Sequence, residues 1–184
     1  MTLLTYLSIV TNRTLVNQVR EGALQPALQA DRFQALGACH QQIHLHLGKL
    51  ATVLKYIETD ADRVQYRQLA DEVESFFSNT SRQHHLEEEK NVFPGLLTFD
   101  SAEVVQAVRL LKQDHIWIEQ NWLALVPMLR AIAEGDGWVD MEEMQHAVQV
   151  FLALCNDHMV LEETLIYPAA KTQLAQQLAK REQS

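Results

Sequence analysis

An all-α fold, specifically a four-helix bundle, is the class this sequence predicts, and three observations predict it. Four long segments place their apolar residues at three- and four-residue steps, the period of a helix buried along one face. Glycine and proline number only 6 and 4 in 184 residues, too few for a turn-rich chain. The third is an internal repeat: most of the stretch from Gln83 to Pro94 recurs 74 residues later, from Asp157 to Pro168. Counted back from each proline, His84 matches His158, Glu88 matches Glu162, and Glu89 matches Glu163. His40 lies 44 residues before His84, and His115 lies 43 residues before His158. The chain therefore reads as a lone His, then HxxxE, then a lone His, then HxxxE, the layout of a two-metal site inside a bundle of four helices.

Each element has its own signal. In residues 1–27, Leu3, Leu4, Leu7, Val10, Leu15, Val16 and Val19 have approximate helical spacing. They describe an N-terminal helical extension packed on the bundle or on a second copy of the chain, as in a homodimer. Pro26 marks its boundary with the bundle domain, residues 28–184. A first helix is expected from Asp31, its N-cap, to about Glu58. It aligns Phe33, Leu36, His40, Ile43, Leu47, Leu50 and Leu54, with His44 one turn beyond His40 on the same face. A second helix runs from near Asp62 to Phe93, because Pro94 pushes the residue before it out of helical geometry. His85, Glu87 and Glu89 are turned roughly 100° or more from its stripe and read as solvated.

Ser101 caps a third helix carrying Val104, Val108, Leu111, His115, Ile118, Trp122, Leu125 and Leu129, which Pro127 is expected to kink near its end. Gly135, Asp136 and Gly137 form the next loop. Asp140 with Glu143 has the form of a capping box for the fourth helix, whose stripe includes Met144, Phe151, Leu154, His158 and Glu162. A short C-terminal helix from Ala169 to about Lys180 closes the chain.

Composition narrows the function classes. A net charge of −9 argues against nucleic-acid binding, which needs a basic surface. No apolar run approaches the ~20 residues of a membrane span. The first ten residues lack a basic n-region and a small-residue cleavage site, so a cytoplasmic location is expected. Cys39 and Cys155 belong to no CxxC or zinc-finger spacing and read as reduced thiols packed beside the candidate ligands.

The chemistry lies in the stripes. A lone His on an apolar face is usually a satisfied core residue, but His40, His84, His115, His158, Glu88 and Glu162 all fall near one level of the bundle. An unpaired buried carboxylate costs several kcal/mol, and no Lys or Arg at stripe spacing stands beside either glutamate. Two divalent or trivalent cations would offset that cost. Imidazole and carboxylate without thiolate suit iron, with manganese or zinc as substitutes. Two histidines per metal, two bridging carboxylates and a solvent-derived bridge leave about one open position on each six-coordinate metal, where O2, NO or peroxide could bind. Phe76, Phe77, Phe151 and Trp122 would restrict water around it.

With this ligand order and the Val92-Phe93-Pro94 and Ile166-Tyr167-Pro168 endings, the sequence resembles the hemerythrin-like (HHE cation-binding) domain over about residues 30–170. The resemblance implies an up-down four-helix bundle holding two iron ions (Fe2+/Fe3+), bridged by the two glutamates and an oxo or hydroxo group. Within the family, the four-His, two-Glu set is similar to that of the iron-sulfur cluster repair di-iron proteins, whose N-terminal Cys pair has no counterpart in residues 1–30. The oxygen-carrying hemerythrins have HxxxH on the third helix and HxxxxD on the fourth. Here His115 is followed at four by Glu119, and His158 by Glu162 at four and Glu163 at five, which leaves Glu163 as a rival bridge. His44 and Glu119 are equivalent in the repeat and stand as secondary candidates for the metal or its surroundings.

The expected function is a metal-binding protein that binds or reacts with a small diatomic (O2, NO) or with peroxide, in sensing, stress response or iron handling, supplied by an electron donor the sequence does not name. The alternative is a helical interaction module whose metal site is structural or degenerate.

Overall fold

The computed structural model describes residues 32–57, 59, 63–135 and 139–183, which contain helix and turn and no strand. Helix α1 spans 32–57. Helices α2 (Arg63–Phe76) and α3 (Arg82–Asn91) are joined without a break by a π-helical turn, Phe77–Ser81. A short helix, α4, occupies Phe93–Leu96, followed by α5 (Ala102–Glu134) and α6 (Met141–Leu161). A second π turn, Glu162–Ile166, carries α6 directly into α7 (Tyr167–Glu182). The result is an all-α bundle of long helical rods. The expected N-terminal extension of residues 1–27, the boundary at Pro26 and the Asp31 cap lie outside the described residues.

Two boundaries differ from the sequence reading. The second rod ends at Asn91, two residues short of the expected Phe93, and Pro94 falls in the first turn of the separate short helix α4, where a missing N–H costs no hydrogen bond. Pro168 likewise sits at the start of α7, so the C-terminal helix extends α6 through the π turn and begins at Tyr167 rather than Ala169. Proline 127 is accommodated inside α5, which continues to Glu134.

Caps fix the ends of the long helices. The Ser101 side chain accepts from the Val104 N–H at 3.4 Å, and Asp140 accepts from Glu142 and Glu143 at 3.0 and 3.1 Å. At the far end of α5, Gly135 takes a left-handed conformation with φ of 74°. Arg67 on α2 donates to the freed carbonyls of Ala133 and Glu134, and a Cβ at Gly135 would meet its guanidinium at 2.5 Å.

Two apolar clusters fill the interior. One comprises Ile43 to Val53 of α1, Ala70, Val73 and Phe77, Ile118 to Ile132 of α5, and Met144 to Met159 of α6. The other gathers Leu36, Val92, Phe93, Leu96, Val104 to Leu111, Ile166, Tyr167 and Ala170. Along every rod the buried histidines and glutamates fall at the boundary between these clusters. A polar layer is thus enclosed between two apolar ones.

Candidate metal centre

Each rod contributes to that layer. His40 comes from α1, His84 and Glu88 from α3, His115 from α5, and His158 from α6, with Glu162 opening the π turn one helical step beyond it. On α3 and at the end of α6, the i, i+4 spacing stacks each imidazole over its carboxylate. The exposure of these six side chains is 5% or less, and that of Glu88 and Glu162 is 0%.

The ligand atoms divide into two groups. In the first, His40 Nε2 lies 3.0 Å from His84 Nε2 and 3.2 Å from Glu162 Oε2, and His84 Nε2 lies 3.4 Å from Glu88 Oε1. In the second, His115 Nε2 is 3.5 Å from Glu88 Oε2, and His158 Nε2 is 3.2 Å from Glu162 Oε1. Each carboxylate therefore turns one oxygen to each group. The ring pairs repeat the symmetry, with His40 and His84 at 4.8 Å and 64°, and His115 and His158 at 4.8 Å and 61°.

The family model for the hemerythrin HHE cation binding domain matches residues 31–170, which contain both groups. The chain belongs to the hemerythrin HHE cation-binding domain family. A Haemophilus influenzae protein described as uncharacterized is 25% identical to it over 134 residues, covering 72% of this chain and 75% of the relative.

Whether this HHE domain suits metal ions is answered by its buried polar atoms. Glu88 Oε2, both Glu162 oxygens, His115 Nε2, both His158 nitrogens and His84 Nδ1 are buried with no hydrogen-bond partner among the described residues. Buried polar atoms are nearly always paired, and the orphans Glu88 Oε2, both Glu162 oxygens, His115 Nε2 and His158 Nε2 belong to the two ligand groups, as cation ligands would. A lone proton is a poor substitute. Without a cation, burial and the neighbouring Glu162 push Glu88 up to about 7. Burial also disfavours the Glu162 carboxylate, but His158 and His40 outweigh it and hold that carboxyl well below its usual range. Burial pushes His84 down to about 3, whereas Asp114 and Glu162 overcome burial to raise His158 to about 9.

A ring of outer contacts orients these side chains. Glu163 lies outside both ligand groups: its carboxylate is half-exposed and accepts from His40 Nδ1 at 2.8 Å. Glu89 does the same for His115 Nδ1, also at 2.8 Å, so it is not the solvated charge its place on the helical wheel implied. Asp114 stands 3.9 Å from His158 Nδ1. Tyr167 stacks on His40 and donates to Glu88 Oε1 at 2.5 Å, while its repeat counterpart Phe93 stacks on His115.

The secondary candidates fall elsewhere. His44 is exposed rather than on the buried face, and lines an open pocket of about 700 Å³ with Phe33, Gly37, Gln41, Glu163 and Tyr167, on the outer side of His40. Glu119 is half-exposed and lies 3.9 Å from Arg82. His85, expected to be solvated, is half-buried and stacks on His115 at 4.1 Å and 13°, with burial and the nearby imidazoles holding it well below the ordinary histidine value. Glu89 and Tyr167 had a signal in the repeat, as partners of Glu163 and Phe93 in matching positions. For His85 the sequence carried none, since its repeat counterpart is Met159.

Cys39 is half-buried and Cys155 buried, both as free thiols. Burial pushes Cys155 up to about 12, and burial with the Glu88 charge pushes Cys39 up to about 11. Among the described residues, no helix is long and apolar enough to cross a membrane.

Proposed function

We propose that this HHE domain holds two iron ions, with an oxo or hydroxo bridge, and uses them to bind or react with O2, NO or peroxide in sensing, stress response or iron handling. His40, His84, Glu88 Oε1 and Glu162 Oε2 would hold one ion, and His115, His158, Glu88 Oε2 and Glu162 Oε1 the other. The observation that carries this reading is the division of each buried carboxylate between the two groups, because one oxygen facing each way is how a carboxylate bridges two cations. Donors of nitrogen and oxygen without thiolate favour iron, with manganese or zinc able to occupy the same set.

When bound, an iron pair supplies one-electron redox chemistry and a coordination position for a small ligand. The chain's own residues set its surroundings. Glu163 and Glu89 hold the His40 and His115 rings by their outer nitrogens, which fixes the tautomer that leaves Nε2 free for a metal. The Tyr167 hydroxyl keeps its proton against Glu88, because burial and the charges of Glu162 and Glu88 push it above the ordinary phenol range. Phe77, Trp122 and Phe151 wall off one side of the layer, and Phe93, Leu96 and Leu111 wall off the other. A dry enclosure of this kind admits a diatomic more readily than a charged metabolite. A cytoplasmic location agrees with two unpaired thiols beside the site.

The test is rapid mixing of the reduced, iron-loaded chain with O2, NO and peroxide in separate experiments, followed by absorbance. A spectral change with at least one of them supports the reading. An iron-loaded chain that responds to none contradicts the small-ligand function.

A further inference from the structure

The two halves of the site differ at several corresponding positions of the repeat, and two of these bear on the metal groups directly. Where the first half presents Tyr167 to His40, the second presents Phe93 to His115. His85, beside His84 on α3, matches Met159 in the repeat, which is buried and apolar. His85 has no imidazole counterpart in the other half.

Its ring is brought to the second group rather than to its neighbour's. It lies face to face with His115 at 4.1 Å and 13°, and edge-on to His158 at 5.3 Å and 74°, whereas His84 is farther, at 5.8 Å. One ligand atom from each of His85, His115 and His158 can be chosen so that all three lie within 4.8 Å of one another. His115 Nε2 and both His158 nitrogens are buried and without hydrogen-bond partners among the described residues. Three imidazoles from three rods therefore converge where the repeat alone would place two. Glu119, one turn beyond His115 on α5, is turned outward to Arg82 at 3.9 Å.

Building on the two-metal reading above, we infer that His85 is an additional ligand to the metal held by His115 and His158, so that the two metal positions are inequivalent. One position then carries three imidazoles, and the other carries the imidazoles of His40 and His84 with the Tyr167 hydroxyl alongside. The two adjacent histidines serve different positions because α3 presents His84 toward His40 and His85 toward His115 and His158 on α5 and α6.

The test uses the full metal-free chain titrated with Co2+ alone. In the wild-type protein, proton NMR should show shifted, exchangeable ring N–H signals for His40, His84, His85, His115 and His158, and none for the remaining histidines, His44, His46 and His146. In His85→Gln and His85→Ala, one of the two Co2+ positions should weaken by about 10- to 100-fold while the other stays within about twofold. Thermal unfolding of the metal-free variants separates loss of a ligand from loss of the fold, and the wild-type spectrum needs no variant. A wild-type spectrum lacking the His85 signal overturns the inference. So does a variant that binds two Co2+ as tightly as wild type, or one that weakens both positions equally. If the wild-type chain binds no pair of Co2+ ions, the two-metal reading fails together with it, an outcome distinct from a wild-type pair that ignores His85.

Discussion

Glu89 accepts a hydrogen bond from His115 Nδ1 at 2.8 Å, across the interface between α3 and α5. The same distance separates Glu163 from His40 Nδ1, between the π turn after α6 and α1. In each copy of the repeat the first glutamate of the Glu-Glu pair enters the buried layer, and the second reaches across to orient the lone histidine of the other copy. This crosswise pairing locks the two halves together.

Replacing either outer carboxylate should therefore loosen the site without emptying it. Glu89→Gln and Glu163→Gln are each expected to lower metal affinity by about tenfold or more, and by similar factors. Glu87→Gln serves as a control, because Glu87 pairs with Arg32 at 2.8 Å on the outside. Competition titration against a chelator measures all three. Equal affinities for the Glu89 variant and the control would remove the orienting role.

Tyr167→Phe tests the asymmetry between the halves. Phe93 shows that a phenyl ring stacks on a site histidine without a hydroxyl, so the variant should keep its packing. It loses the hydrogen bond to Glu88, and denaturant unfolding of the metal-free chain above about pH 8, where Glu88 is ionised, should show a loss of roughly 1.5–3 kcal/mol, the range for bonds to charged groups. A loss indistinguishable from zero would mean that the hydroxyl does not matter to the fold.

How much of this was legible in the sequence depends on the residue. His40, His84, Glu88, His115, His158 and Glu162 announced themselves because the repeat set two HxxxE pairs in one register, and all are buried in one layer. His85 and Glu89 were invisible to a helical wheel, which assigns each residue one inside and one outside. In a bundle a helix has neighbours on two sides, so a residue about 100° from the stripe still meets α5. His44 failed the other way, since the wheel put it beside His40 while the bundle leaves that flank open to a pocket. Neither π turn has a signature in composition, and both prolines fell where a helix start tolerates them.

Metal uptake should depend on pH in a direction set by two groups. Below about 7 Glu88 holds a proton, and below about 9 His158 does, so a cation entering the layer must displace both. Affinity is expected to rise with pH through this window and fall as pH drops, with protons released on binding. Calorimetric titration with Zn2+ in buffers of different ionisation enthalpy counts those protons. Binding that releases none would contradict these protonation states.

The apolar wall should be separable from the metal. Phe151 is fully buried and packs at 5.1 Å from Phe77 and 5.4 Å from Trp122. Phe151→Ala is expected to cost about 3–5 kcal/mol of stability, measured by denaturant unfolding of the metal-free chain. A cost under about 1 kcal/mol would mean that the cluster repacks around the cavity.

Iron content per chain, taken with the absorbance spectrum before and after reduction, decides whether the layer of His40, His84, Glu88, His115, His158 and Glu162 holds a pair of bridged iron ions. Protein from iron-supplied cells should carry about two irons per chain and a near-ultraviolet bridge band that bleaches on reduction, both lost together in Glu88→Ala. One iron or none per chain, or a spectrum indifferent to reduction, would contradict it.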